Sequence, residues 1–194
     1  INSSCSILIF YQFEKNSGIS FIELDDGTVW DREIILANTK GQLFGTENSD
    51  ELSADEDISV VYGLNGNDRI IGGVHNDYLY GGDGDDILIA SGGADTLNGG
   101  NGNDTLIVQA GSSPYSSTVL FGDYGTDEYI IDKKYLTSGV LIGEYRLEGD
   151  ILRLKGYSQD ELLLQVDNKS LKISFINSSG SVLIFDQFEK NSGI

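Results

Sequence analysis

The sequence has very little of several residue types on which common protein functions depend. Its 194 residues include one Cys, one Pro, one His, one Trp and no Met. A single Cys excludes an internal disulfide, and a single His excludes the zinc sites that need two histidines. A Ser–His–Asp triad would have to recruit His75 from a glycine-rich turn, and the sequence has no Gly-x-Ser-x-Gly motif. We therefore expect no catalytic function, and the absence of any 18-residue apolar run predicts no membrane-spanning helix.

Positive charge is also scarce. The chain has 12 Lys and Arg against 31 Asp and Glu, which gives a formal net charge of −19. Residues 45–131 alone hold 16 acidic side chains and one basic side chain, Arg69. This sign disfavours nucleic acid, anionic membranes and phosphate ligands as partners. Acidic side chains that are concentrated in one region, and not spread evenly over the chain, favour a cation-binding site there.

Glycine and aspartate are abundant, and they recur with a period of nine. Five nonamers begin at residues 63, 72, 81, 90 and 99, and each has Ile or Leu at its eighth place. The sixth place of these nonamers holds Asp68, Asp77, Asp86, Asp95 and Asp104. The register extends back to Asp50, and the intervening nonamer 54–62 keeps an apolar residue, Val61. A fixed period of this kind indicates a solenoid, in which each repeat buries its apolar residue by stacking on its neighbours.

Each nonamer divides into a turn and a short strand. Six residues rich in Gly, Asn and Asp favour the turn, and the apolar residue lies at the centre of a three-residue strand. Two nonamers then complete one coil, so that residues 18 apart stack at roughly 4.8 Å. Stacking would place Asp50, Asp68, Asp86 and Asp104 on one edge and Asp77 and Asp95 on the other. Carboxylates this close repel unless a cation lies between them, and hard oxygen ligands suit Ca²⁺ best.

The nonamer resembles the Gly-Gly-x-Gly-x-Asp-x-apolar-x repeat of RTX proteins, which form calcium-binding parallel β-rolls. The resemblance implies about four to six Ca²⁺ ions, each held by aspartates of turns n and n+2 and by turn carbonyls. The implied metal-binding residues are Asp50, Asp68, Asp77, Asp86, Asp95, Asp104, Asp127, Gly63, Asn65, Gly66, Gly72, Gly81, Asp83, Gly84, Gly93, Gly99, Asn101 and Gly102.

The chain departs from this repeat at a few positions. Ser59 stands where the nonamer 54–62 should have its Asp, and His75 and Asn48 replace turn glycines. A further copy at 122–130 carries Asp127 at its sixth place, but it begins at Gly122, later than the period counted from Gly99 requires. If Asp127 is to stack on Asp104, the additional residues must bulge out near residues 111–117.

We expect an all-β fold, a parallel β-roll over residues 45–131 flanked by antiparallel β capping segments over 1–44 and 132–194. An Asp26-Gly27 turn predicts a hairpin in the first segment. That segment resembles the aromatic hairpin that neighbours RTX repeats, and its Trp30 either caps the first coil or belongs to an ordinary core. The last segment alternates apolar and polar residues, which predicts an antiparallel meander. Its strands are expected at Val140–Leu147, Asp150–Leu154, Glu161–Val166, Ser170–Ile176 and Ser181–Phe188.

The ends of the chain repeat each other. Residues 1–19 and 176–194 agree at 16 of 19 positions, and they differ at Cys5/Gly180, Ile7/Val182 and Tyr11/Asp186. This duplication, in which Ile1 corresponds to Ile176, predicts a tandem array of modules from which the chain is excised, although a single duplication is the alternative. Neighbouring modules are then expected partners. The duplicated strands at 7–13 and 182–188 are predicted to compete for, or exchange, one partner strand.

The resemblance implies a module that is unfolded at low Ca²⁺, passes through a type I secretion apparatus of a Gram-negative bacterium, and folds outside the cell. A secreted or surface toxin or adhesin is the expected parent protein. One alternative is an appendage of a secreted protease or lipase. A second alternative is a glycan-binding module, for which Tyr62, Tyr78 and Tyr80 beside the predicted sheet are the only indication.

Overall fold

The chain divides into two compact units, Ile1–Lys40 and Gly41–Ile194. The computed structural model describes residues 21–23, 27, 29–31, 41–56, 59–109, 117–136, 139–143, 149–167, 170–176 and 180–185. In the first unit, strands β1 (Phe21–Glu23) and β2 (Val29–Asp31) pair antiparallel, which confirms the predicted hairpin. Gly27 in its turn has a φ of +85°, a conformation that glycine adopts without strain. The predicted strand at 7–13 and the side chain of Trp30 lie outside the described residues.

Two sheets form the second unit within the described residues. The strands of the six-stranded sheet are β4 (Glu51–Ser53), β6 (Arg69–Ile71), β8 (Ile87–Ala90), β10 (Thr105–Val108), β12 (Glu128–Asp132) and β14 (Ile151–Lys155). The strands of the nine-stranded sheet, in spatial order, are β3 (Gln42–Phe44), β5 (Val60–Asn65), β7 (Tyr78–Asp83), β9 (Thr96–Asn101), β11 (Thr118–Tyr124), β13 (Gly139–Gly143), β17 (Ser181–Phe185), β16 (Ser170–Phe175) and β15 (Leu162–Asp167). The chain passes from one sheet to the other and back, so the fold is a parallel β-roll, as predicted.

The strand register confirms two nonamers per coil. Glu51 pairs with Arg69 and Arg69 with Ile87, so residues two nonamers apart are neighbours in a parallel ladder. The offset then lengthens, because Thr105 pairs with Glu128 and not with Asp123. The late copy at 122–130 therefore stacks on the coil before it. The additional residues fall in the connection between Val108 and Thr118, of which 110–116 lie outside the described residues.

The apolar residues of the eighth place form the core between the sheets. Val61, Leu79 and Leu97 of the nine-stranded sheet have no exposed surface, and neither do the corresponding residues Ile70, Leu88 and Leu106 of the six-stranded sheet. Leu52 in the first coil is only partly buried and packs against this cluster. Each such side chain contributes about 1.5–3 kcal/mol when it is fully buried. One or two buried apolar residues per nonamer make a small core, so the turns must contribute to stability as well.

The prediction of an antiparallel meander after residue 131 is wrong for its first two strands. β13 pairs in parallel with β11, and β14 pairs in parallel with β12, so both strands add further layers to the roll. Alternation of apolar and polar residues is equally compatible with either strand direction, and the open end of the roll offers a parallel partner. The prediction is confirmed for the pairing of β15 with β16 and of β16 with β17, which are antiparallel, whereas β17 pairs with β13 in parallel.

Side chains near the end of the roll tie the antiparallel strands to it. The ring of Tyr157 stacks on Phe175 with their centroids 4.1 Å apart. Lys133, which follows β12, lies over the Tyr157 ring and forms an ion pair with Glu161 of a short 3₁₀-helix at Gln159–Glu161. No helix among the described residues is long and apolar enough to cross a membrane.

Candidate metal-binding edges

The turns that lead from the nine-stranded to the six-stranded sheet carry a column of aspartates, which we call the first edge. Its members are Asp50, Asp68, Asp86, Asp104, Asp127 and Asp150. In each pair of neighbours, the backbone N–H of the earlier Asp donates to Oδ1 of the Asp in the next coil. The N···O distances are 2.8 Å from Asp50 to Asp68, 2.7 Å from Asp68 to Asp86, 2.8 Å from Asp86 to Asp104, 2.8 Å from Asp104 to Asp127 and 2.9 Å from Asp127 to Asp150. The predicted stacking of Asp50, Asp68, Asp86, Asp104 and Asp127 is thus confirmed, and Asp150 adds one member that was not predicted.

Glycine at the first place of the nonamer lets the carboxylate approach the backbone. A Cβ added to Gly63 would lie 2.5 Å from the carbonyl oxygen of Gly81 and closer still to Oδ2 of Asp68. Gly81 has the same surroundings one coil later, with Asp86 and the carbonyl of Gly99. Any side chain there would displace either the carboxylate or the backbone. The repeat's glycines therefore make room for a compact layer of carboxylate and carbonyl oxygens.

Burial makes the charged form of these carboxylates unfavourable. Asp68, Asp77, Asp86, Asp95 and Asp104 are each only 1–2% exposed. Burial raises the pKa of Asp86, Asp95 and Asp104 to about 7, although the N–H group of the preceding Asp lowers it in part. The pKa of Asp68 and of Asp77 is also raised, again mainly by burial. At neutral pH these carboxylates of both edges therefore need either protons or cations.

Several of the buried oxygens lack a protein partner. Oδ2 of Asp68, Asp86 and Asp104 and Oδ1 of Asp77 make no hydrogen bond within the described residues. No group of three or more His, Cys, Asp or Glu side chains there could hold a metal ion by itself. A cation at this edge would need backbone carbonyl oxygens in addition to the carboxylates. Such all-oxygen coordination fits Ca²⁺ and does not fit zinc.

The turns that return to the nine-stranded sheet form a second edge, which has fewer stacked aspartates than the first. Asp77 donates its N–H to Oδ1 of Asp95 at 3.0 Å, and Oδ2 of Asp77 accepts the N–H of Gly73 at 2.6 Å. Ser59 precedes this pair in the column, and buried Thr118 follows it. The N–H of Ser59 donates to Gly41. This explains why Oδ1 of Asp77, unlike its counterparts on the first edge, receives no N–H from the coil before it.

The predicted site residues at the third place of the nonamer lie on the outside of the first edge. Nδ2 of Asn101 donates to Oδ1 of Asp83 at 2.8 Å, and the side chain of Asn65 donates to Glu47. Their backbone is in the sheet, where the carbonyl of Asp83 accepts the N–H of Gly66 at 2.8 Å. These side chains thus bond to one another, away from the buried carboxylates. His75 is exposed in its turn.

A second ladder of side chains was missed by the sequence analysis. The residue at the fifth place accepts the N–H of the fifth-place residue in the next coil. These acceptors are Ser49 for Asn67 at 3.0 Å, Asn67 for Asp85 at 3.1 Å, Asp85 for Asn103 at 2.8 Å and Asn103 for Thr126 at 3.0 Å. The signal was a short hydrogen-bonding residue at the fifth place of each of these nonamers. This ladder satisfies backbone donors that the turn exposes.

Asp150 was also missed as a member of the column, because it was interpreted as the start of a meander strand. The signal was present in the spacing. Asp150 and Leu152 follow Asp127 and Tyr129 at the same lengthened offset that separates Asp127 from Asp104. Leu152 accordingly pairs with Tyr129 in the six-stranded sheet. The aspartate column is thus one coil longer than the sequence analysis predicted.

The repeats match a known family. Residues 44–79 and 71–106 match the family model of the RTX calcium-binding nonapeptide repeat, which describes four copies of the repeat. No curated protein matches the chain. The matched region covers the first four coils of the aspartate column, from Asp50 to Asp104, and ends before Asp127.

Proposed function

We propose that this chain, whose residues 44–106 are RTX calcium-binding nonapeptide repeats, is a Ca²⁺-gated structural module of a large secreted bacterial protein. The parent would be a toxin or adhesin exported by a type I system of a Gram-negative bacterium. The observation that carries the proposal is the buried aspartate column, in which carboxylates only 1–2% exposed stack on one another's backbone. The proposed metal-binding residues are those implied by the sequence, together with Asp150.

Without a cation, the chain's own residues oppose folding. Asp68, Asp86 and Asp104 must lose water, repel one another, and leave an oxygen without a hydrogen bond. Glycine-rich turns add to this, because ordering each residue costs about 1–2 kcal/mol and glycine loses the most freedom. Short strands with only one to three buried apolar side chains each do not offset these costs.

Bound Ca²⁺ would supply the positive charge and the additional bonds that these oxygens lack. The aspartates and the turn carbonyls would hold the ions, about four to six in number, between successive turns. Because the oxygens come together only when the coils stack, the free energy of binding becomes free energy of folding. Residues shared by two neighbouring turns, such as Asp86, would make the transition cooperative.

The same switch would serve export. In a cytosol with little Ca²⁺, residues 45–131, with 16 acidic side chains and one basic, would stay unfolded and could pass through a narrow secretion channel. Outside the cell the column would bind Ca²⁺ and lock the roll. Neighbouring modules of a tandem array, indicated by the duplication at 1–19 and 176–194, would be its partners.

The alternatives gain less support. Of the three tyrosines that were the indication of glycan binding, Tyr62 and Tyr80 are stacked on each other with ring centroids 5.0 Å apart, and Phe44 stacks on Tyr62 at 4.9 Å, whereas Tyr78 is half exposed. Both faces of Tyr62 are therefore covered and do not offer a platform for a sugar ring. An appendage of a secreted enzyme would need one copy, whereas the duplication favours several. Exchange of the duplicated strand would require β17 to leave both β13 and β16.

Far-UV circular dichroism during a Ca²⁺ titration tests the proposal, with Mg²⁺ at the same concentrations as the control. We expect a steep, cooperative gain of β-sheet signal with Ca²⁺ and little or none with Mg²⁺. A chain that is already fully folded in excess chelator would reject the calcium switch and leave a static solenoid.

A further inference from the structure

The last strand of the nine-stranded sheet carries an exposed apolar ledge, formed by Leu163, Leu164 and Val166. These side chains are 57%, 65% and 58% exposed. Leu164 pairs with Ile173 of β16, which is buried, so Leu164 and Val166 lie on the face of the sheet that covers the core. The sheet continues through β17, β16 and β15 beyond β13, whereas the six-stranded sheet ends at β14. Within Gly41–Ile194, no described residue covers the side chains of Leu164 and Val166 on the inner face of β15.

The ledge is unusual for the edge of a sheet. Edge strands of soluble proteins are usually guarded by charge, proline or a bulge, because their backbone can pair with another strand. β15 holds no proline, and its single charged side chain is that of Asp167 at its last position. Covering large apolar side chains is worth about 1.5–3 kcal/mol each. An exposed apolar edge of this kind therefore indicates a surface that another segment covers.

The duplicated segment identifies an occupant within reach. β17 ends at Phe185, whose counterpart in the first copy is Phe10, and the short segment 11–20 joins Phe10 to the start of β1 at Phe21. A following copy would thus reach its β1–β2 hairpin through a segment of the same length after Phe185. Fully extended, such a segment spans at most about 36–40 Å. β15 lies two strands away from β17, or about 10 Å.

The chemistry of the hairpin complements that of the ledge. Residues 21–31 contain four acidic side chains and no basic one, and Val29 is 48% exposed. Residues 162–176 contain two lysines and one aspartate, so this region is net positive in a chain of net charge −19. Lys172, exposed on β16, pairs with Gln165 of β15, so it lies on the face of the sheet that carries Leu163 and not on the face of Leu164 and Val166. An acidic hairpin with an exposed apolar side chain suits an apolar edge that has a lysine beside Leu163.

We infer that the ledge is the docking surface for the β1–β2 hairpin of the following copy of this chain. The inference rests on the tandem array of the proposed function, and it adds the surface by which successive modules join. The exposed backbone of β15 allows the hairpin to extend the sheet, while Leu164 and Val166 pack against it. Each roll would thereby be closed at its end by the next module, and the array would be stiff.

Hydrogen exchange measured by mass spectrometry on a two-module chain tests this surface. In that chain, residues 20–194 follow Ile194 a second time, and the measurement is made with saturating Ca²⁺. The β15 peptide, 162–167, comes from both modules, but only the first module has a following hairpin. We expect two equal populations of this peptide, one exchanging as in the 194-residue chain and one at least about tenfold slower. Val29→Glu in the second copy alone should remove the slow population.

A matched substitution serves as the control. Ile87→Glu in the second copy also places a charge at an exposed apolar position, but on the six-stranded sheet, and it should leave the slow population in place. A single fast population in the two-module chain would overturn the docking, and so would a slow population that survives Val29→Glu. Pairing of the two ledges with each other would instead make both β15 peptides slow and leave no fast population. Circular dichroism of the same sample separates the two proposals: a roll that fails to fold in Ca²⁺ rejects the proposed function and the docking together, whereas a folded roll with fast β15 rejects the docking alone.

Discussion

The two edges of the roll are built from the same nonamer, yet they differ in the number of stacked aspartates and in how tightly the turns pack. The first edge stacks six aspartates from Asp50 to Asp150, whereas the second stacks Asp77 and Asp95 between Ser59 and Thr118. The first-place glycines also differ. A Cβ on Gly81 would lie 2.5 Å from a backbone oxygen, but a Cβ on Gly72 would find its nearest atom, Oδ2 of Asp77, at 3.2 Å.

This difference locates the calcium dependence of the module. The first edge has most of the repulsion between carboxylates, because every interior aspartate there has an acidic neighbour in both adjacent coils. It also has most of the buried carboxylate oxygens that make no hydrogen bond within the described residues. On the second edge the pair is bounded by Ser59 and Thr118, which carry no charge. We therefore expect folding to depend far more on the first edge than on the second.

The largest difference is expected for glycine substitutions. Gly81→Ala forces a Cβ against the Gly99 carbonyl and Asp86, and overpacking of this kind costs about 3 kcal/mol. Gly72→Ala meets only a carboxylate that can give way, and it should cost less than about 1 kcal/mol. Urea unfolding in saturating Ca²⁺ measures both. Equal costs would show that the two edges are packed alike.

Aspartate substitutions compare the cation sites directly. Asp86 lies between Asp68 and Asp104, so it would serve two cation sites. Asp95 has one acidic neighbour on the second edge, and Asp50 is the terminal aspartate of the first edge, so each would serve one site. Asp86→Ala should raise the Ca²⁺ concentration at the folding midpoint by about 100-fold, and Asp95→Ala or Asp50→Ala by about tenfold, which is about 1.4 kcal/mol. The measurement is circular dichroism against free Ca²⁺. Identical midpoints for the three variants would contradict a shared-site column.

Low pH should have the same effect on the stability of both edges, because burial raises the pKa of Asp95 to about 7 just as it raises that of Asp86 and Asp104. Unfolded aspartate has a pKa of about 3.9. A pKa that is higher in the folded state gives stability that is fully present below about pH 4 and is lost as the pH rises through 7. The metal-free chain should therefore show more β-sheet signal at pH 5 than at pH 8 in chelator. The opposite trend would contradict burial as the cause.

The smallest difference is expected for the fifth-place ladder. Asn103 on the first edge accepts the N–H of Thr126 and donates to Asp85, whereas Asn76 on the second edge accepts one N–H, that of Ala94. Asn103→Ala should cost about 1.5 kcal/mol and Asn76→Ala about 0.7 kcal/mol, since a hydrogen bond contributes about 1 kcal/mol. Thermal unfolding in Ca²⁺ compares the two variants. A larger loss for Asn76→Ala would indicate that the second edge depends more on this ladder.

Much of the roll could be predicted because a period is a local property. The columns through Leu79 and Leu97 and through Asp68 and Asp86 follow from spacing alone, once two nonamers are taken to form a coil. The change of offset after Val108 did not hide Asp127, because its nonamer keeps the Gly and Asp positions. Asp150 was missed because its turn has lost most of the glycines, so its spacing from Asp127 was the remaining signal.

The sequence by itself determined the two sheets, the inward apolar columns and the placement of acidic residues on the edges, because a nine-residue period with two nonamers per coil places the same position of alternate nonamers directly above one another. Tertiary structure decided the direction of β13 and β14 and the extent of the aspartate column. An alternating strand accepts a parallel or an antiparallel neighbour, and the choice falls to whichever unpaired edge it meets. Tertiary structure alone also set the buried environment of the carboxylates, because the pKa of an aspartate depends on the water, backbone donors and charges around it.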